Sequence, residues 1–333
     1  MPQGTLDVEF TARAEPHRRE LLVHCYQMLG SVHEAQDLVQ ETMLRAWRAY
    51  DRYDPDLASM RTWLYRIATN ACLNALEGRS RRPLPSGVGQ RFDDPDAAFV
   101  AGFEVPWLQP IPDRLLGGVP DDPAVMAVER SGLRLAVVAA MQLLPAKQRA
   151  VLILRDVLGF AAAEVAVILD LSTAAVNSAL QRARAKFAGP RLDAGTLKEP
   201  EPAQRAVVDR YMAAFERADV EELARMLAEE VVLEMPPMWN WYVGGVAYAR
   251  FMARVFELRG RDWRAVPISA NRQPAMAAYT RQGDQYQLHT LQVFSVEGGV
   301  IVRTTVYQEP AVFAIFDLPD FLPARDEFRW SGR

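Results

Sequence analysis

The chain has 333 residues, 50% of them hydrophobic and 24% charged, with a formal net charge of −4. These values fit a soluble globular protein of two or three domains and exclude a disordered chain or one that is basic throughout. No run approaches the roughly 20 apolar residues that span a bilayer, and MPQGTLDVEFTARAE lacks an apolar signal core, which predicts a cytoplasmic protein without membrane contact.

Two cysteines, Cys25 and Cys72, both inside expected helices, suit a reducing compartment. His24, Cys25 and His33 have no second ligand cluster behind them, so neither a metal nor a cofactor is expected. Residues 1–14 read as a loosely attached start. Glu15–Gly30 is the first expected helix, with Leu21, Leu22, Cys25, Tyr26 and Leu29 on one stripe. Glu34–Tyr50 is the second, with Ala35, Leu38, Val39, Met43, Ala46, Trp47 and Tyr50 inward and Asp37, Gln40, Glu41, Arg45 and Arg48 outward. Ser31, three residues before Glu34, forms a capping-box pattern. Ser59–Glu77 is the third helix, with Met60, Trp63, Leu64, Ile67, Ala68, Ala71 and Ala75 inward. Arg61, Thr62, Arg66, Thr69, Asn70 and Asn74 face away. Gly78 ends it, and Arg79, Arg81 and Arg82 follow. Basic charge gathers in 61–91 and again in 172–191, although the chain as a whole is acidic.

Residues 84–123 are rich in Pro, Gly and Asp and read as a linker. Phe99, Phe103, Val105, Trp107 and Leu108 argue that part of it docks. Helices resume over 124–144 and over 145–158, with Pro145 at a plausible first position. Ala162–Leu169, the turn Asp170–Ser172 and Thr173–Phe187 form a helix-turn-helix. Ser172 caps its last helix. Val176, Leu180, Ala183 and Phe187 point inward; Thr173, Asn177, Ser178, Gln181, Arg182 and Arg184 point outward. Asn, Gln and Arg are the usual readers of base edges in a major groove. A second boundary falls at 188–200. Helices at 203–217, 220–228 and 245–259 then accompany strands at 231–235, 263–270, 275–281, 286–296 and 300–307, with a hairpin turn at Gly298–Gly299. This is an α+β pattern.

DLVQETMLRAWRAY followed by RTWLYRIATNACLNALEGRSRRP resembles domain 2 of bacterial extracytoplasmic-function sigma factors. LLPAKQRAVLILRDVLGFAAAEVAVILDLSTAAVNSALQRARAKF resembles domain 4 of the same family. The resemblance implies core RNA polymerase and promoter DNA as partners. Asp37, Gln40, Glu41 and Arg45 would meet polymerase. Arg61, Trp63, Arg66, Asn70, Arg79, Arg81 and Arg82 would engage the −10 element, where a flipped base needs aromatic or polar contacts. Trp63 also lies on the apolar stripe, and taken alone it is expected in the core. Thr173, Asn177, Ser178, Gln181, Arg182 and Arg184 would read the −35 element. Family members often carry Lys and Arg where Asn177 and Ala179–Leu180 stand here.

The last region, with MPPMWNWYVGG, is similar to SnoaL-like cone domains appended to a subset of sigma factors. Its expected pocket residues are Glu234, Trp239, Trp241, His289 and Tyr307. Enzymatic relatives often carry a His-Asp pair where Tyr307-Gln308-Glu309 stands here, so a regulatory domain without turnover is expected, with a small-molecule ligand or a regulatory protein as its partner.

The expected fold is a mainly α N-terminal half of two helical sigma domains, the second with a helix-turn-helix, plus a C-terminal α+β SnoaL-like cone. The domains are 15–83, a linker at 84–123, 124–188, 200–318 and a tail at 319–333. The expected function is a sigma factor, not an enzyme, regulated in cis. Two alternatives stay open: a ligand-responsive helix-turn-helix regulator, and a bifunctional protein with an enzymatic last domain.

Overall fold

The computed structural model describes residues 3–117, 132–186 and 201–324. The chain forms two compact units, each drawn from two separate stretches. Unit 1 combines Met1–Pro83 with Leu115–Thr196, and unit 2 combines Leu84–Arg114 with Leu197–Arg333.

Unit 1 begins with α1 (Gln3–Ala14), α2 (Arg18–Leu29), α3 (Val32–Arg48) and α4 (Met60–Leu76). The start expected to be loose is therefore helical. Phe10 is buried and meets the Tyr50 ring edge-on at 5.4 Å, and the Tyr50 hydroxyl donates to Glu9 at 2.9 Å. Gly30 closes α2 at φ 69°, a left-handed conformation that side chains resist. Ser31 then caps α3 by accepting the Glu34 N–H, as the spacing predicts. Ala35, Val39, Met43 and Ala46 are buried, but Trp47 is 41% exposed, one position beyond the stripe. Ser59 caps α4 from the Thr62 N–H at 3.1 Å. Thr62 and Thr69, expected outside, are buried. The reason is that α4 is covered on several sides, by α2 and α3 and also by two later helices of the unit.

The second stretch holds α5 (Leu135–Gln142), α6 (Ala146–Leu152), a π turn over Ile153–Val157, α7 (Ala162–Leu169) and α8 (Thr173–Lys186). The part of the expected 124–144 helix before residue 132, and Phe187, fall outside the described residues. Val176, Leu180 and Ala183 are buried as expected. α6 and α7 are the helices that complete the cover of α4. Buried Arg149 on α6 clasps the C-terminal end of α2. It donates to the Met28 carbonyl, to Gln142 Oε1 at 2.7 Å and to the Gln142 carbonyl at 2.9 Å. Burial lowers its pKa to about 10, and these carbonyls supply the partners that a buried cation requires.

Unit 2 contains α9 (Glu201–Glu216), α10 (Val220–Arg225), β1 (Leu227–Glu234), β2 (Trp241–Val243), α11 (Gly245–Arg259), β3 (Trp263–Ala270), β4 (Gln273–Gln282), β5 (Gln285–Glu297), β6 (Val300–Tyr307), α12 (Pro310–Ile315) and β7 (Phe321–Pro323). One sheet runs in the order β2-β1-β6-β5-β4-β3, with β7 beside β5. Only the β1–β6 pair is parallel. Gly298 and Gly299, at φ 61° and 75°, make the expected β5–β6 hairpin turn. Helices α9 and α11 pack on the sheet around Tyr211, Phe215, Phe256, Trp263 and Phe294, all buried. Fully burying each such side chain contributes roughly 1.5–3 kcal/mol. Tyr248 links this core to β6, bonding the Tyr211 hydroxyl at 2.7 Å and Thr304 at 3.1 Å.

Candidate functional site

The outer face of α3 carries Asp37, Gln40 and Arg45 exposed and Glu41 half-buried. They stand opposite Ala35, Val39, Met43 and Ala46, so the same periodicity that builds the core sets this polar strip in solvent. Glu41 pairs with Arg45 at 2.6 Å, one turn on.

The α4 candidates divide. Arg66 and Asn70 are exposed on one face. Arg61 instead donates to Glu20 at 2.9 Å and lies over the Phe160 ring at 4.2 Å. Phe160 stands immediately before α7, so Arg61 is held between the two halves of unit 1. Tyr65 beside it is fully buried, bonding Glu20 at 3.2 Å and meeting Phe160 edge-on at 4.9 Å. Trp63 is half-buried against Tyr53 at 4.9 Å, a core contact that still leaves part of its ring outside. Arg79 and Arg82 share Glu34, at 3.0 and 2.9 Å. Arg66 and Arg81 have no ion-pair partner among the described residues.

The α8 candidates are uniform. Thr173, Asn177, Ser178, Gln181, Arg182 and Arg184 are all exposed. Ser172 caps the helix from the Ala175 N–H at 3.2 Å. Arg184 makes a two-pronged contact with Asp156 at 2.8 and 2.7 Å, which raises its pKa. Arg182 carries no such tie.

In unit 2 the linker is the main surprise. Leu84–Arg114 packs as part of this unit. The Val100 N–H donates to Asn240 Oδ1 at 2.7 Å, and its carbonyl accepts from Trp239 N–H at 2.8 Å. The Ile111 N–H donates to Asn271 Oδ1 at 3.0 Å. Trp107 and Leu108 are buried as expected, whereas Phe103 is 74% exposed. Gly102 is required by its surroundings: a Cβ there would lie 2.7 Å from the Trp239 ring nitrogen.

The expected pocket residues are corrected by this packing. Trp239 meets Trp107 edge-on at 5.0 Å, and Trp241 donates to the Gly89 carbonyl at 3.2 Å, so both serve the linker. Glu234 is fully buried and receives Arg303 at 2.7 Å, the Ser86 hydroxyl at 2.6 Å and Thr305 at 3.2 Å. That network satisfies a carboxylate that burial alone would penalise heavily. Tyr307 is fully buried and lies outside the cavity lining. Alternation explains Glu234 and Tyr307. Leu233 and Met235 on one side, and Val306 and Gln308 on the other, face the cavity, so the residues between them turn away.

Of the five, His289 alone lines the cavity of this unit. Strict alternation separates His289 from Thr290 and Gln292, yet all three line it. A β-bulge is the cause. Leu288 pairs with Tyr279 and Thr290 with Ala278, leaving His289 as the extra residue. Bulges re-aim side chains in this way. Burial, reinforced by Arg259, lowers the His289 pKa to about 4. Trp263 packs on its ring at 5.5 Å. Ser86, Asn240, Asn271 and Arg303 are not singled out by the sequence; its pointer to them is the apolar set Phe99, Phe103, Val105, Trp107 and Leu108 in the linker.

Comparison with known proteins follows the same division. Sigma-70 region 2 matches residues 14–82, Sigma-70 region 4 matches 134–187, and a SnoaL-like domain matches 208–304. The ECF RNA polymerase sigma factor SigG of Mycobacterium tuberculosis is 45% identical over 317 residues, covering 94% of this chain and 85% of SigG. The chain belongs to the ECF RNA polymerase sigma factors. SigJ of the same organism is 30% identical over 65% of this chain and 62% of its own. The crystal structure of SigJ shares the fold at TM-score 0.63 and 22% identity, over 92% of this chain and 98% of that one. No single described helix is long and apolar enough to cross a membrane, and no cluster of metal-ligating side chains occurs among the described residues.

Proposed function

We propose that this sigma factor works in the cytoplasm by docking on core RNA polymerase through the α3 strip of Asp37, Gln40, Glu41 and Arg45. In this reading α4 and its arginine tail engage the −10 element through Arg61, Trp63, Arg66, Asn70, Arg79, Arg81 and Arg82. Helix α8 enters the −35 major groove with Asn177, Gln181 and Arg182 towards base edges and Arg184 towards phosphate. Unit 2 regulates initiation in cis and performs no turnover. The observation that carries the regulatory part is the seating of Leu84–Arg114 in unit 2, because that segment joins the two DNA-reading regions. The absence of a carboxylate from the described cavity lining favours regulation over acid–base chemistry.

The test is run-off transcription with core polymerase on a promoter pool, for the natural chain and for Gly102→Ala. The alanine collides with Trp239 and loosens the linker. Specific transcripts from the natural chain, and a changed yield with unchanged promoter choice from the variant, are expected. No transcript from either would refute sigma activity. An unchanged yield from a variant whose linker amides exchange faster would refute regulation in cis.

A further inference from the structure

One contact of the linker reaches the interior of unit 2. Glu234, at the end of β1, is the only acidic residue that is buried among the described residues. The Ser86 hydroxyl donates to its Oε2 at 2.6 Å, and the Ser86 N–H reaches the same oxygen at 3.2 Å. Arg303 of β6 donates to Oε1 at 2.7 Å and to the Ser86 hydroxyl at 3.0 Å. The hydroxyl is thus used twice, as donor to a carboxylate and as acceptor from a guanidinium. Such charge-assisted bonds are the strong ones, and losing the donor leaves a buried carboxylate short of a partner.

Ser86 is also the only Ser, Thr or Tyr within Leu84–Arg114. It is half-buried on the single helical turn Pro85–Val88, beside exposed Gly87 and Val88. Arg79, Ser80, Arg81 and Arg82 before that turn lie in no helix or strand. An irregular basic stretch followed by a lone hydroxyl is the form of peptide that an acid-lined kinase cleft accepts.

We propose that Ser86 is a phosphorylation site and that its phosphate unlatches the linker from unit 2. The phosphoryl donor is a nucleoside triphosphate, held by a serine kinase. The Ser86 oxygen forms a bond to the γ-phosphorus, the bond from that phosphorus to the β–γ bridging oxygen breaks, and the nucleoside diphosphate leaves. The hydroxyl proton passes to the base of the kinase. The product carries a charge of about −1.5 to −2 and three acceptor oxygens. It offers Glu234 no proton, and in the seated linker it would stand where the hydroxyl now lies 2.6 Å from that carboxylate. Arg303 brings one positive charge against two anions. The seated form therefore rejects the phosphate: transfer takes place on the transiently open linker, and the phosphate then holds it open. An effect on transcription rests on the cis-regulatory reading; the unlatching itself does not.

Two measurements test this, and both can succeed even if regulation in cis fails. Mass spectrometry of the chain isolated from its own cells reads the modification. Trypsin releases residues 82–91, in which Ser86 is the only hydroxyl side chain. A phosphate on that peptide is expected, and its absence from both growing and stationary cells overturns the site. Hydrogen exchange on the full chain with phosphoserine encoded at position 86, without polymerase, reads the unlatching. The Phe92 N–H, which donates to the Trp241 carbonyl at 3.1 Å, should exchange at least about tenfold faster than in the natural chain, while β4 and β5 keep their protection. Unchanged or slower exchange overturns the proposal, since Arg303 would then hold the phosphate in place. Ser86→Ala removes the hydroxyl without adding charge and should speed exchange by less. Equal acceleration would assign the opening to the lost hydroxyl and overturn the role of the phosphate. In a Glu234→Gln background the phosphate meets an amide, and its effect should shrink to less than about threefold. An undiminished effect there would overturn the opposition of the two anions. Should Glu234→Gln fail to fold, the comparison of phosphoserine with Ser86→Ala decides.

Discussion

Helices α4 and α8 are both proposed to meet DNA, but their side chains are used differently. On α8 every candidate reader is exposed, and the residues that build the core, Val176, Leu180 and Ala183, are a separate set. On α4 the two sets overlap. Arg61 and Trp63 pack within the protein, and Tyr65 beside them is buried. A helix on the rim of a unit can divide its faces between fold and partner. A helix at the centre, covered by α2, α3, α6 and α7, keeps only the narrow face of Arg66 and Asn70 free of the fold. Substitutions on α8 should therefore alter DNA recognition alone, and those on α4 should alter stability as well.

The largest expected effect is that of Tyr65→Ala. It removes a fully buried ring from between Glu20 and Phe160, and unit 1 should lose about 3–5 kcal/mol. Urea unfolding followed by circular dichroism measures it, and a loss below about 1 kcal/mol would erase the contrast with α8.

An acid-sensitive effect comes next. His24 on α2 is fully buried against Thr69 of α4 at 2.9 Å, and burial, aided by Arg61, lowers its pKa to about 3. The unfolded chain takes up a proton near pH 6.5 that the folded chain refuses until about pH 3. Stability from this group is thus full above about pH 6.5 and falls as pH drops, by about 1.4 kcal/mol per pH unit. His24→Gln should flatten the fall in urea midpoint between about pH 6 and 5. A slope that survives the substitution assigns the effect to other groups.

Arg182→Ala should cost about 1–3 kcal/mol in binding −35 DNA while shifting stability by less than about 0.5 kcal/mol. Gel-shift titration on natural and scrambled elements reads the first quantity. Equal affinity of the natural chain for both sequences would remove Arg182 from the base readers. The smallest effect is that of Asp156→Asn, which frees Arg184 from an exposed pair. Stability should change by less than about 1 kcal/mol, and DNA affinity should rise slightly at low salt. A fall in affinity would mean that Asp156 orients Arg184 for the contact.

Much of this architecture is legible in the residues. The caps at Ser31 and Ser172 and the apolar spacing of α8 depend on neighbours within a turn or two, and they came out as expected. So did α11, β3 and β6, each bounded by clear turn or capping signals. What failed depends on distant partners. Trp47 satisfies the spacing of a buried stripe but reaches past it. Thr62 and Thr69 look polar and outward, yet α4 is covered by several helices and both are buried, Thr69 against His24 of α2. Short β2 and β7 owe their existence to pairing with β1 and β5. Glu234 reads as a pocket acid until Arg303, Ser86 and Thr305 surround it. His289 reads as lying on the face opposite Thr290, and one inserted residue brings them together.

The alternation of the chain between its two units has a further consequence. The two stretches of unit 1 are joined covalently through Leu84–Arg114, a segment folded into unit 2. While unit 2 is folded, this segment is a tether of fixed span. Once it melts, the same residues become a slack loop. The effective concentration of one half of unit 1 at the other then falls, by an entropy that grows as about (3/2)RT times the logarithm of loop length. The stability of the sigma domains is therefore linked to that of the appended domain by connectivity alone. Cutting the chain within the tether and melting the appended domain should weaken the association of the sigma domains in the same direction.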